Sequence, residues 1–221
     1  MKNYIVSLIL GLTLVISTSS NLYATCPSGY TSYTIAATYT YTPLGGGTFN
    51  CPMTIKYCCK WDNSLKQVVS IIDDFYGTTT NCATAIPDWV DFLTWLHNTV
   101  AQSSHLACAP EFPPCDDLVN PYYEVKVTSS RCWKIANRLV DGAYNDYVWV
   151  HTFINCQTSD KCVSTWRVCL DYNFSPPKVV RTFVSKVSLG TPACPDTEPT
   201  LPPAGKTDEE PWITDCFAKP C

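Results

Sequence analysis

Alternating polar and apolar positions dominate the first part of the chain and predict β-strands. Residues 31–42 alternate strictly, and one face carries the larger side chains Tyr33, Ile35, Ala37, Tyr39 and Tyr41. A glycine-rich turn over residues 43–47 follows, and residues 48–61 return as a second strand, which predicts a hairpin. A further apolar, β-branched stretch over residues 65–75 predicts a third strand.

A helical pattern follows these strands. Pro87 begins it, because proline favours the first helical position. The apolar side chains at helical spacing are Trp89, Phe92, Leu93, Leu96 and Val100. We expect one amphipathic helix over about residues 87–103, inserted with a loop within residues 83–121.

The second part of the chain returns to strand patterns. Residues 122–128, 133–140, 144–154, 162–172 and 179–187 are rich in aromatic and β-branched side chains. The dipeptide Asp141-Gly142 predicts a hairpin turn. After Thr191 the composition changes to a proline-rich, acidic segment, residues 192–221, which we expect to be irregular and tethered by its cysteines.

The two strand-rich parts share a cysteine spacing. Cys51-x6-Cys58 recurs as Cys162-x6-Cys169, 111 positions later, from 51 to 162. The same gapless offset places residues 68–69 on residues 179–180. This predicts an internal duplication, with one β repeat at residues 25–82 and another at residues 122–191. Chance similarity is the alternative, because hairpin lengths vary little.

The first 24 residues have the order of a secretory signal peptide. Lys2 precedes an apolar run over residues 5–16, and Ala24 offers a cleavage site. The run is too short for a bilayer, which needs roughly 20 apolar residues. An uncleaved anchor and a lipoprotein modified at Cys26 are the alternatives. We expect a secreted or extracytoplasmic protein, cleaved after about Ala24 and without stable membrane insertion.

Cysteines give the strongest chemical signal. The chain has 14, all after the predicted cleavage site: Cys26, Cys51, Cys58, Cys59, Cys82, Cys108, Cys115, Cys132, Cys156, Cys162, Cys169, Cys194, Cys216 and Cys221. An even number in an exported chain predicts seven disulfides of unknown pairing. Adjacent Cys58 and Cys59 point to opposite faces of a strand and should have different partners. No CxxC pair supports zinc or redox chemistry. The predicted fold is mainly β and disulfide-rich, of antiparallel hairpins or a sandwich, duplicated, with one inserted helix.

Composition excludes several classes of protein. Charged residues are only 15% and hydrophobic residues 46%, the reverse of a disordered chain. The formal net charge of -4 argues against a nucleic-acid partner.

The cysteine pattern resembles that of uncharacterised cysteine-rich secreted proteins of Bacteroidota and related bacteria. The residues concerned are Cys26-Pro-Ser-Gly-Tyr, the Cys-x6-Cys hairpin, Ser130-Arg-Cys132-Trp133-Lys134, and Cys156-x5-Cys162-x6-Cys169-Leu-Asp171. The resemblance covers most of residues 26–194. It implies export and disulfides, and it carries over no catalytic residue.

Sequence motifs of catalysis are not found. There is no HExxH, GxSxG, P-loop or GxGxxG. His97 and His105 are expected to be exposed at the helix end, and His151 to pack on a strand. Asp74 with a distant carboxylate could serve a hydrolase. We therefore predict no catalytic residue, no metal and no cofactor.

Aromatic side chains are the remaining functional candidates. Tyr33, Tyr39, Tyr41 and Trp61 could form a platform for a glycan or a protein partner. The leading hypothesis is a secreted, disulfide-stabilised binding or surface-interaction module. The alternatives are a structural or extracellular matrix component and, third, a carboxylate-using secreted hydrolase.

Overall fold

The computed structural model describes residues 26–79, 82–119, 121–141 and 146–221. The predicted signal peptide, residues 1–24, lies outside the described residues, and so does Gly142 of the predicted Asp141-Gly142 turn. The described elements are, in chain order, β1 (Thr31–Tyr41), β2 (Phe49–Asp62), β3 (Gln67–Gly77), a 3-10 turn (Cys82–Ala85), α1 (Trp89–Cys108), β4 (Tyr123–Ser130), β5 (Cys132–Asp141), β6 (Tyr147–Asn155), β7 (Lys161–Asp171), β8 (Lys178–Leu189), β9 (Trp212–Ile213) and β10 (Phe217–Ala218). The prediction of a mainly β chain with one amphipathic helix is confirmed.

All the described strands belong to one mixed sheet rather than to the two packed sheets of a sandwich. Strands β1, β2 and β3 pair antiparallel in that order, and so do β4, β7 and β8. The two sets join where β3 pairs with β4, and this pairing is parallel. The hairpin pattern did not predict it, because parallel neighbours need a crossover connection, which α1 supplies here.

A hairpin widens the sheet beyond this junction. The second half of β3 pairs with β6 instead of β4, and β6 pairs with β5. The short strands β9 and β10 lie along the other edge of β5. Along the chain, β5 and β6 are therefore inserted between β4 and β7 of the second three-stranded set.

The two three-stranded sets correspond in order and direction. In each, the third strand contains a bulge, at Asp73 in β3 and at Val184 in β8. Cys26 precedes β1 and bonds to Cys58 of β2, and Cys115 precedes β4 and bonds to Cys169 of β7. These similarities support the proposed duplication.

The gapless sequence alignment of the two halves does not match the way their strands pair. Val69 pairs with Lys60, whereas Val180 pairs with Cys169. The β7–β8 connection, residues 172–177, is two residues longer than the β2–β3 connection, residues 63–66. The pairing in the second hairpin is therefore shifted by two positions, which leaves each side chain on its original face.

Helix α1 lies against the same face of strands from both sets, so the sheet curls around it. Contacts extend from β1, where Tyr39 packs on Phe92, to β7 and β8, where Ser164 and Lys186 hydrogen-bond to the helix. Buried apolar side chains of the helix and the sheet form the core, and Phe92 lies at its centre with 0% exposure. An amphipathic helix is stabilised by this kind of burial more than by its own propensity.

The helix boundaries differ from the prediction at both ends. Asp88 is the N-cap, and its carboxylate accepts a hydrogen bond from the Asp91 amide at 3.0 Å, so Pro87 precedes the helix. The helix continues five residues past Ser103 to Cys108. Ser104 and His105, which read as polar surface positions, are buried there.

The seven predicted disulfides are present, and Cys58 and Cys59 have different partners, as predicted. The pairs are Cys26–Cys58, Cys51–Cys82, Cys59–Cys108, Cys115–Cys169, Cys132–Cys194, Cys156–Cys216 and Cys162–Cys221. All 14 cysteines lie in the described residues, and no bond joins one at or before position 108 to one at or after 115. This many disulfides indicates an oxidising compartment.

The C-terminal segment is attached to the second half of the sheet by three of these disulfides. The Asn137 amide nitrogen donates to the carbonyl oxygens of Asp208 and Glu210, at 2.9 and 2.8 Å. The Trp212 ring packs on His151 with 4.9 Å between ring centres. Among the residues that the structure describes, no helix is long and apolar enough to cross a membrane.

Candidate functional site

A cleft of about 420 Å³ lies between two of the edge strands, β1 and β8, above α1. We call it the edge cleft and define it by three aromatic side chains, three polar ones and Tyr39 behind them: Trp95, Trp166, Phe183, Asp91, Asn98, Lys186 and Tyr39. The cleft exists because the sheet curls around the helix without closing, which leaves a strip of helix surface between β1 and β8.

The helix contributes the floor of the edge cleft. Asp91, Trp95 and Asn98 fall on the side of α1 that faces away from the buried stripe, because 3.6 residues complete a turn. Asp91 and Asn98 are exposed, and Trp95 is half-buried. A partly exposed indole among exposed polar groups offers a ring face to a ligand.

Hydrogen bonds hold two of the polar groups in place. The Tyr39 hydroxyl donates to a carboxylate oxygen of Asp91 at 2.9 Å. Burial, together with this hydrogen bond and the Asp91 charge, raises the pKa of Tyr39. Across the cleft, Lys186 Nζ donates to the Thr94 hydroxyl at 3.0 Å. The helix floor therefore carries a fixed acceptor, Asp91, and the β8 wall a fixed cation, Lys186.

A buried histidine lies beneath the cleft. His97 is fully buried and contacts two hydroxyls, Ser164 at 2.8 Å through Nδ1 and Ser129 at 2.9 Å through Nε2. Ser164 also lines the cleft. Burial, with a smaller contribution from Lys186, lowers the pKa of His97 to about 3.

This serine–histidine pair is poorly suited to nucleophilic catalysis. A general base works best when its pKa is near the working pH, and a pKa of about 3 is far below neutrality. Ser164 is itself only 1% exposed. The network instead joins α1 to β4 and β7, which fixes the floor of the cleft.

The four residues of the predicted platform are not brought together. Tyr33, Tyr39 and Tyr41 lie on the inner face of β1, where Tyr39 is 0% exposed and the other two are partly buried. The Tyr33 ring stacks on Tyr57. Trp61 lies at the end of β2 and packs edge-to-face on Tyr123. Only Tyr39 lines the edge cleft.

The histidines are also placed differently from expectation. His97 and His105 were expected at the surface, but they are 0% and 5% exposed. The polar pattern misled here because serine hydroxyls and a helix carbonyl satisfy their ring nitrogens inside the core. His151 packs within its strand, as predicted, with 5% exposure.

The carboxylate of Asp74 forms ion pairs with two cationic side chains. It is 2% exposed and lies 3.3 Å from an Arg138 guanidinium nitrogen and 3.9 Å from Lys56 Nζ. Asp74 therefore serves as an ion-pair partner within the sheet. Burial, and then the nearby Asp74 charge, raises the pKa of Asp73 to about 6. Within the described ranges, no cluster of His, Cys, Asp and Glu has the geometry to hold a metal ion.

Sequence reasoning missed most of the edge cleft. Trp95 carried a usable signal, because a tryptophan off the apolar stripe of an amphipathic helix is expected to stay partly exposed. Trp166, Phe183 and Lys186 carried none, since only the curled sheet brings β7 and β8 opposite β1. Comparison with protein families, with curated proteins and with solved structures found no match.

Proposed function

We propose that the chain is a secreted, disulfide-stabilised carbohydrate-binding module whose edge cleft holds an oligosaccharide. The observation that carries the proposal is the half-buried Trp95 ring, flanked by an exposed carboxylate and an exposed amide in a cleft of about 420 Å³. Sugar rings present apolar C–H faces, which pack on aromatic rings, and hydroxyls around their edges. A cleft for them therefore combines an aromatic face with several polar groups.

The polar groups of the edge cleft suit hydroxyl ligands. Asp91 accepts hydrogen bonds, Lys186 donates them, and Asn98 does both. A sugar hydroxyl is itself both donor and acceptor, so each of these groups has a partner. Phe183 on β8 is 54% exposed and supplies a second apolar surface opposite the helix.

The covalent framework supports an extracellular role. Seven disulfides persist in an oxidising compartment, and the sequence predicts a signal peptide before them. The floor of the cleft is anchored by the buried His97 contacts, so its side chains are positioned before a ligand arrives. Such pre-organisation reduces the entropy lost on binding.

A glycan array followed by calorimetry tests the proposal. The oxidised protein is screened first, and the strongest oligosaccharide is then titrated into the wild type and Trp95→Ala. We expect the variant to bind at least tenfold more weakly, which corresponds to about 1.4 kcal/mol or more for a buried aromatic contact.

Tyr147→Ala is the matched control. Tyr147 is an aromatic residue on β6, 68% exposed and outside the cleft. The Tyr147→Ala variant should bind the oligosaccharide as the wild type does. No binding on the array would refute the carbohydrate proposal, and equal affinities of the wild type and Trp95→Ala would refute its location.

A further inference from the structure

A second cleft, of about 250 Å³, lies at one end of the sheet. We call it the lower cleft and define it by Trp61, Lys66, Glu111, Tyr122, Tyr123 and the flanking Pro110 and Pro113. The strand register places these residues together, because Gln67 of β3 pairs with Glu124 of β4 and so sets the end of β2 beside the start of β4. The loop after α1 closes the third side.

The aromatic rings of the lower cleft are held at fixed angles. Trp61 stands edge-on to Tyr123, with ring centres 5.4 Å apart and planes at 78°. Phe112 stacks against Tyr123 at 6.0 Å. The Arg167 guanidinium lies over the Tyr122 ring at 4.3 Å. These contacts make two rigid ridges, Trp61 and Tyr122, beside Tyr123.

Within the part of the chain that the structure describes, the Tyr123 hydroxyl finds no hydrogen-bond partner. The side chain is 4% exposed, and no polar group of the described residues contacts the hydroxyl oxygen. Burial raises the pKa of Tyr123, so the group is a protonated donor at any physiological pH. A buried donor without an acceptor costs roughly 1–3 kcal/mol, and a ligand carbonyl that displaced the side chains covering the hydroxyl would recover part of this.

The polar groups of the lower cleft are mostly donors. Among the described lining residues, the Tyr122 and Tyr123 hydroxyls, the Trp61 indole N–H and the Lys66 ammonium can all donate, and Glu111 supplies a single carboxylate. A segment in the polyproline II conformation has the complementary chemistry, because its carbonyls point outward and proline has no N–H. Aromatic ridges of this kind receive the proline rings.

We propose that the lower cleft binds a proline-rich segment of another protein. The loops that lead into the cleft residues favour a protein partner, since they expose apolar side chains. Leu65, which precedes Lys66, is 65% exposed, and Leu118 and Val119, in the loop before Tyr122, are 99% and 82% exposed. Apolar surface of this kind around an aromatic pocket is typical of an interaction site. This site is independent of the edge cleft and would give the chain a second binding function.

An acetylated decaproline peptide tests the proposal, with a Gly-Ser decapeptide as the control probe. We expect decaproline to change the tryptophan fluorescence of the oxidised full chain saturably, and the Gly-Ser peptide to have no effect. Trp61→Ala should bind decaproline at least tenfold more weakly, as expected for an aromatic anchor. Tyr147→Ala should bind as the wild type does.

Tyr123→Phe separates binding from folding. The change removes only the unpartnered hydroxyl, so the free protein should unfold at an equal or higher denaturant concentration. Decaproline binding should nevertheless weaken on the order of fivefold, the effect of one hydrogen bond. Oligosaccharide binding at the edge cleft should not change, so the two proposals can fail separately.

Three results would overturn the proposal. The first is the absence of saturable decaproline binding at millimolar peptide. The second is wild-type affinity in both Trp61→Ala and Tyr123→Phe. The third is an oligosaccharide that displaces decaproline and loses its own affinity in Trp61→Ala, which would identify the lower cleft as a sugar site.

Discussion

The buried His97 should make the protein less stable in acid by an amount that one substitution can isolate. In the unfolded chain this histidine takes up a proton near its ordinary pKa of 6.5, whereas in the folded protein it does so only near 3. Between these values the unfolded state holds more protons, so the free energy of unfolding falls as the pH falls. We consider His97→Gln, which keeps an amide near the serines but does not titrate.

The size of the effect follows from the shift in pKa. Each pH unit in this window changes the free energy of unfolding by at most about 1.4 kcal/mol, so lowering the pH from 7 to 4 costs about 3 kcal/mol. No allowance for solvent screening is needed, because His97 is 0% exposed. The positive charge of Lys186, on β8, also opposes the protonation of His97.

Guanidinium unfolding at pH 7 and at pH 4, with the disulfides intact, measures this contribution. The quantity of interest is the loss of stability between the two pH values, compared between the wild type and His97→Gln. Other titrating groups are common to both proteins and cancel. We expect the wild type to lose about 3 kcal/mol more than His97→Gln, although the variant is less stable at pH 7.

Tyr57→Phe is the control for this experiment. It removes a helix–sheet hydrogen bond, that of Tyr57 to Ser103 at 2.7 Å, without removing a histidine. Its loss between pH 7 and pH 4 should equal that of the wild type. Equal losses in the wild type and His97→Gln would show that His97 is not held neutral, and the reasoning would be refuted.

Two further predictions concern a carboxylate and a disulfide. Because burial raises the pKa of Asp73 to about 6, its charged form destabilises the fold above that pH. Asp73→Asn should therefore raise the guanidinium concentration at the unfolding midpoint at pH 7.5 and have no such effect near pH 3.5. An unchanged or lower midpoint at pH 7.5 would contradict this. Removing the bond between Cys59 and Cys108, which are 49 residues apart, should cost about 4 kcal/mol. The double alanine variant should show six disulfides by mass spectrometry and a lower midpoint, and an unchanged midpoint would disprove the expected contribution.

The local sequence pattern was sufficient to predict the strands and the helix, but not how the strands are arranged in the sheet. The alternation over residues 31–42 and the apolar stripe of α1 predicted β1 and the helix, because each depends on which side chains face the core. The end of the helix was missed, since Ser104 is polar and is buried only through contacts distant in sequence. The antiparallel β5–β6 pair was predicted from Asp141-Gly142. The parallel β3–β4 pairing and the pairing of β6 with β3 are long-range, and no local spacing encodes them.

The candidate sites were predicted less well than the fold. Trp61 was identified as an aromatic available to a ligand, and it does line a cleft. Tyr39 was identified by the same reasoning and also lines a cleft, but it is buried behind it, because the face of β1 with the larger side chains packs against α1. Both clefts are formed by residues from separate elements, so their composition depends on the tertiary structure.

The grouping of the disulfides has a consequence for folding on the proposed route of export. A chain that crosses a membrane from its N-terminus presents residues 26–108 first, and all three disulfides of that part can form before Cys115 emerges. The four later bonds then form among cysteines of residues 115–221. Oxidation can proceed vectorially, in two stages without reshuffling between them.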